Sequence, residues 1–177
     1  MNRKNFIKST ALGVGVLSAA PLFAQKKFKV PKAGIPKIVR NEEGQILNVI
    51  GDNQNIKLTG KDTNGQYTLI EQNNKPGVGI PPHVHENEDE VFQVIEGLVE
   101  MSIGDKMTTL NAGDLIFCPR GIPHSWKVVG DQNVRAMLSI FPAGLEAMFE
   151  ELAQLPAGPP DLEKVGQICG KYKVKFV

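Results

Sequence analysis

Aromatic residues are few in this chain, which has two cysteines, three histidines, one tryptophan and almost no net charge. Each scarcity excludes something. Two cysteines, Cys118 and Cys169, make no disulfide framework. A formal charge of +1 over 177 residues offers no basic surface for nucleic acid or an anionic membrane. Few aromatics beside 18 glycines and 12 prolines suit short strands and many turns rather than a helical bundle. No apolar run approaches the roughly 20 residues that a membrane-spanning helix needs. The length allows one domain with a real core.

The N-terminal residues read as a targeting segment. Arg3, Lys4 and Lys8 precede the apolar run Ala11 to Ala20, and Ala24 before Gln25 offers a cleavage point. Residues 1–24 are therefore expected to be an export signal, and the protein to be periplasmic or extracellular. Arg3-Lys4-Asn5-Phe6-Ile7-Lys8 resembles the twin-arginine motif, with lysine in place of the second arginine. Removing the segment takes away three positive charges and leaves the remainder at −2. Residues 25–37, rich in lysine and proline, read as a linker or arm.

From Ile38 the chain is cut into short pieces by Gly, Asn and Asp. Strands are expected at Gln45 to Ile50, Asn55 to Thr59, Gln66 to Glu71, Glu90 to Glu96, Leu98 to Ile103, Lys106 to Leu110, Leu115 to Cys118, Ser125 to Val129 and Val134 to Ile140. Gly51-Asp52-Asn53 is expected as the first turn. This spacing argues for an all-β sandwich or barrel over residues 38–141. Helical period appears only in residues 142–177. Leu145, Met148, Phe149 and Leu152 share one helical face, and Asp161 reads as the N-cap of a second helix over Leu162 to Cys169, ended by Gly170. These helices are expected to cover an open end or edge of the barrel.

All three histidines fall in two compact blocks. His83 and His85 are two apart, so on a strand both rings aim at one face. Glu90 has the wrong parity to join them on one continuous strand. A hairpin through the polar stretch Glu86-Asn87-Glu88-Asp89 would reset it and place Glu90 on the neighbouring strand. His124 follows Gly121-Ile122-Pro123. Three imidazoles and one carboxylate suit a first-row divalent ion. The other acids of the turn, Glu86, Glu88 and Asp89, read as solvated, and Cys118 reads as a small buried residue rather than a nucleophile. Tyr67, Phe92, Phe117 and Trp126 are candidates for an apolar substrate pocket.

These residues resemble the two motifs of the cupin superfamily. Gly77, His83, His85, Glu90 and Gly97 match the first at every fixed position, and Gly113, Pro119, Gly121 and His124 match the second. A position that the family usually fills with asparagine is Val128 here; it is not a metal ligand in the family. The chain looks most like single-domain cupins similar to quercetin dioxygenases. That resemblance implies a double-stranded β-helix, or jelly roll, with one divalent metal (Fe, Mn, Ni, Cu or Zn) held by His83, His85, Glu90 and His124. It also implies a homodimer. Three functions stay open. One is an oxygen-dependent dioxygenase acting on a small hydroxylated or enolisable substrate, with Glu90 as the catalytic base. The second is an oxygen-independent isomerase, epimerase or lyase, and the third a small-ligand-binding module without catalysis.

Overall fold

The computed structural model of the protein describes residues 34–177. The expected export segment and the arm up to residue 33 lie outside them. Eleven strands and three helices follow one another among the described residues: β1 (Gln45–Val49), β2 (Asp52–Leu58), α1 (Gly60–Thr63), β3 (Thr68–Asn74), β4 (Gly79–His85), β5 (Asp89–Glu96), β6 (Leu98–Ile103), β7 (Lys106–Leu110), β8 (Leu115–Cys118), β9 (His124–Val129), β10 (Val134–Phe141), α2 (Glu146–Ala153), α3 (Leu162–Lys171) and β11 (Val174–Phe176). They form a six-stranded sheet of order β1-β2-β3-β10-β5-β8 and a five-stranded sheet of order β11-β4-β9-β6-β7. Every pairing is antiparallel. The fold is an all-β double-stranded β-helix.

Alternation drives the layering. In β10, Val134, Ala136, Leu138 and Ile140 are buried while the residues between them are not, and β5 alternates the same way through Glu90, Phe92 and Val94. Period-two burial of this kind turns one face of each sheet into the core and leaves the other toward water.

Three local details depart from the sequence expectation. The first turn is Ile50-Gly51, with φ of 55° and 95°. Two central residues at positive φ match the twist of a two-residue hairpin, so Asp52 already belongs to β2. The helix α3 has Asp161 as its N-cap, accepting from the Lys164 amide, but runs through Gly170 to Lys171. Beyond it, β11 pairs with β4, an element that the sequence reading did not contain.

The strand β4 looks unpromising in sequence because it contains Pro81 and Pro82, which cannot donate to a ladder. Its register with β9 shifts between Ile80↔Trp126 and His83↔His124, so three steps along β4 match two along β9. The prolines fall in this bulge, which bends the strand and redirects His83. Just before it, β4 and β9 approach closely. A Cβ added to Gly79 would lie 2.3 Å from the Trp126 carbonyl oxygen and 2.8 Å from the Lys127 Cα.

The two longer helices close one end. Met148, Phe149 and Leu152 of α2 and Val165, Ile168 and Cys169 of α3 are buried in the same core as the strands. The Glu146 carboxylate fixes the start of α2 by accepting from the Gly60 amide at 2.8 Å and the Thr68 hydroxyl at 2.5 Å.

Gly79→Ala is expected to force β4 away from β9 and to cost about 1–3 kcal/mol of stability, the range for overpacking a filled interior. A denaturant titration of the variant against the wild type measures this.

Candidate metal centre

His83 and His85 project inward from β4, His124 opens β9, and Glu90 lies near the start of β5. β4 and β9 belong to the five-stranded sheet, whereas β5 belongs to the other. The stretch Glu86 to Glu88 is therefore a crossing between sheets, and the expected hairpin is not formed. Glu90 faces the histidines across the barrel rather than from an adjacent strand.

All four side chains are buried, and one ligand atom from each lies within 4.8 Å of the others. His124 Nε2 is 3.1 Å from Glu90 Oε2, and His85 Nε2 is 3.7 Å from Glu90 Oε1. Two rings are held from behind by backbone carbonyls two residues earlier. His83 Nδ1 is 2.9 Å from the Pro81 oxygen, and His124 Nδ1 is 3.2 Å from the Ile122 oxygen. Carbonyls accept only, so each Nδ1 carries a proton and each Nε2 is free to act as a ligand when the ring is neutral.

Burial, and secondarily the charge of His124, lowers the His83 pKa to about 4, so its imidazole is neutral. Burial also works against a charged Glu90, but the His124 hydrogen bond and the three surrounding imidazoles more than offset it, and Glu90 stays ionised. Burial likewise pushes His124 down, but its hydrogen bond to Glu90 and that carboxylate's charge carry it above the usual histidine range.

These residues fit a divalent metal ion. His85 is 2% exposed, and neither of its ring nitrogens has a hydrogen-bond partner. A buried imidazole with both nitrogens orphaned is costly unless a cation takes one of them. A neutral His124 Nε2 and a carboxylate oxygen 3.1 Å apart would repel, and a proton or metal between them removes the conflict. Nitrogen and oxygen ligands bind first-row ions at about 2.0–2.2 Å, so four donors clustered within 4.8 Å need only a small contraction to share one ion.

The residues around the cluster brace it. Asp89 stays partly exposed but is clamped rather than free. It accepts from the Arg120 amide at 2.9 Å, Nε at 3.0 Å and Nη2 at 2.8 Å. This clamp ties the start of β5 to the loop before His124, and the Gly121 amide donates to the His85 carbonyl at 2.8 Å. Glu88 is also buried, with Oε2 unpartnered and 3.7 Å from His85 Nδ1. Nothing in the acidic run distinguished it from its neighbours. Glu86 alone is exposed, paired with Lys175.

A model of the cupin domain matches residues 71–141, which carry all four clustered side chains. Residues 71–141 are a cupin domain. This cupin is 29% identical over 126 residues to the quercetin 2,3-dioxygenase of Bacillus subtilis; the match takes 70% of this chain but only 36% of that enzyme. Among solved structures it is similar to KdgF from Halomonas sp., with a TM-score of 0.56 and 18% identity, covering 64% of this chain and 99% of the other. It is also similar to the polyketide cyclase RemF from Streptomyces resistomycificus, with a TM-score of 0.52 and 25% identity, covering 62% and 81%.

The cluster opens into a narrow cavity of about 80 Å³. Of the four aromatic candidates, only Trp126 lines it. Phe92 packs behind Trp126, ring centroids 5.8 Å apart, without lining the cavity. Phe117 is 54% exposed on β8, and Tyr67 stacks on Phe141 beside a separate surface indentation. The remaining walls include Leu138 from the large sheet, Met148 and Phe149 from α2, and Phe176 from β11. Asp52, Gln54 and Gln72 also line it; none of them was a pocket candidate, and Asp52 was expected in a turn. Cys118 is a buried free thiol whose pKa burial, with the charge of Glu90, pushes up to about 12, so it is no nucleophile.

The purified cupin is expected to hold about one equivalent of divalent metal per chain, with His83→Ala and His124→Ala each losing it; elemental analysis after reconstitution checks this. For Asp89, the Arg120 hydrogen bonds lower the pKa from 3.8 to about 2. A lowered carboxylate stabilises the fold above its unfolded pKa and loses that contribution as pH falls through the folded one. The stability gap between wild type and Asp89→Asn should therefore be constant above about pH 5 and shrink between about pH 4 and 2, as read by urea titrations across that range.

Proposed function

We propose that this cupin is a metal-dependent oxidoreductase of the quercetinase type, using dioxygen to cleave a small hydroxylated or enolisable substrate. The observation that carries this reading is the buried cluster of three histidines and an ionised glutamate at the wall of a largely apolar cavity. The likeness to quercetin 2,3-dioxygenase supports it, although this chain spans about a third of that enzyme. A divalent first-row ion held by His83, His85, Glu90 and His124 would supply Lewis-acid and redox chemistry.

The chain's own residues supply the rest. Glu90 is ionised in spite of its burial, so it can take the proton of a substrate hydroxyl placed beside it. The Nδ1 bonds to Pro81 and Ile122 hold the His83 and His124 rings in a fixed orientation while this happens. Ile80, Trp126, Leu138 and Phe149 line the approach and exclude water from a reactive, deprotonated substrate.

A second reading draws on the same proton transfer without dioxygen: a lyase, isomerase or cyclase type of acid–base reaction. The similarity to the polyketide cyclase RemF favours keeping it.

An oxygen-electrode screen of the metal-loaded protein against flavonols, β-diketones and catechols separates them. Oxygen uptake with one of these is expected, and Glu90→Gln should lower kcat by about 10²–10⁴-fold when the two proteins are compared at equal metal loading. Product without oxygen uptake would support the second reading; no turnover of any substrate in the panel would overturn the first.

A further inference from the structure

The cavity has a second polar wall. Asp52, Gln54, Gln72 and Asn74 are 2%, 3%, 2% and 1% exposed, and the first three line the same cavity as His83, His85 and Glu90. All four occupy inward positions of β2 and β3, where apolar residues would ordinarily stand. Asp52 is the hub. Its Oδ2 accepts from Gln54 Nε2 at 2.8 Å and Gln72 Nε2 at 2.7 Å, and its Oδ1 accepts from Asn74 Nδ2 at 2.6 Å. A carboxylate can only accept, so it fixes all three amides with their NH₂ groups toward it and their carbonyl oxygens away.

The three oxygens do not meet the same fate. Asn74 Oδ1 accepts from the Asn53 amide at 2.8 Å, so Asn74 is fully used by the fold. Gln54 Oε1 and Gln72 Oε1 are buried and have no donor. Gln54 and Gln72 are direct partners across the β2–β3 ladder. Their side chains stand side by side, with both amide nitrogens on one carboxylate oxygen. Two neighbouring acceptors without donors are expensive in a purely structural network. Burial also pushes the Asp52 carboxyl above its usual range, against the three amide bonds that lower it, so the hub itself is held at a cost.

We infer that Gln54 and Gln72, oriented by Asp52, form a substrate subsite that accepts two hydrogen bonds from a pair of adjacent hydroxyl groups at the end of the substrate away from the metal-ligating histidines. The assignment of that other end as the reacting one rests on the function proposed above. The register sets the scale. Gln72 is opposite Ala136, which is opposite Val94, four residues along β5 from Glu90. Two strand spacings and four residues give a backbone separation on the order of 15 Å, which inward side chains from both ends shorten. Inward side chains fill most of that span and leave a cavity of about 80 Å³, so the ligand class is a compact, largely apolar molecule with a vicinal diol, such as a catechol ring.

The test is calorimetric titration of the protein as purified with catechol and with 1,2-dimethoxybenzene, repeated on Gln54→Met/Gln72→Met. The double variant keeps side-chain length and all four metal-ligating residues, so direct ligation of catechol at the metal cancels between the two proteins. The preference for the diol over the diether is expected to fall by roughly tenfold in the variant, the loss of two modest hydrogen bonds. An unchanged preference would overturn the inference. Should the variant not fold, a crystal structure of the wild type with catechol decides the matter. Hydroxyls within hydrogen-bond distance of Gln54 Oε1 and Gln72 Oε1 support the subsite; only ordered water there, or catechol solely at the histidines, overturns it. Absence of oxygen uptake in the earlier screen alongside an intact diol preference would reject the dioxygenase reading and leave the subsite standing.

Discussion

A carboxylate inside a protein core is tolerable only where donors or cations surround it, and Glu90 is such a carboxylate. Its hydrogen bond to His124 and its closeness to His85 keep it ionised, and in return the sheet that carries it is fixed against the sheet that carries the histidines. The rest of the site follows from that requirement. The Pro81-Pro82 bulge redirects His83, the carbonyls of Pro81 and Ile122 set two ring tautomers, and the Arg120 clamp on Asp89 holds the loop before His124 to the strand of Glu90. The contacts of Glu90 with His124 and His85 cross from one sheet to the other. The centre is a property of the interface between the two.

The fold was legible because its strands are short, alternating and separated by turn residues; β6, β7 and β8 fall where the pattern places them. The four clustered side chains were legible because their types and spacings coincide in two motifs. What could not be read was which sheet each strand joins. Alternation gives the face of a side chain but not the neighbour of a strand, so the turn after His85 looked like a hairpin when it is a crossing. Pro81 and Pro82 concealed β4 for a similar reason, since a strand tolerates them only where its ladder is already broken.

The pocket was harder to read than the histidine–glutamate cluster. Phe117 is one residue from Cys118, which pairs with Glu90 across β5 and β8, so parity sends the phenylalanine outward. Trp126 is two residues from His124 and shares its face. On β2 and β3, Gln54 and Gln72 sit at alternate positions, and polar residues at that period ordinarily mark the side toward water. Their true direction depends on Asp52, whose inward placement follows from a two-residue turn that the composition of the segment did not disclose. Glu88 offered no signal at all among three neighbouring acids.

The pairing of β11 with β4 gives the site a place in time. The strand that carries His83 and His85 gains its second neighbour only from Val174–Phe176, about ninety residues further along the chain. Contacts of such long range carry a large loop-closure cost and are slow to form. Until they form, the two histidines stand on an open sheet edge beneath an uncovered cavity. The strand that bears two of the clustered side chains is thus closed by the last strand of the barrel, and without β11 it would keep an unpaired edge beside the cavity.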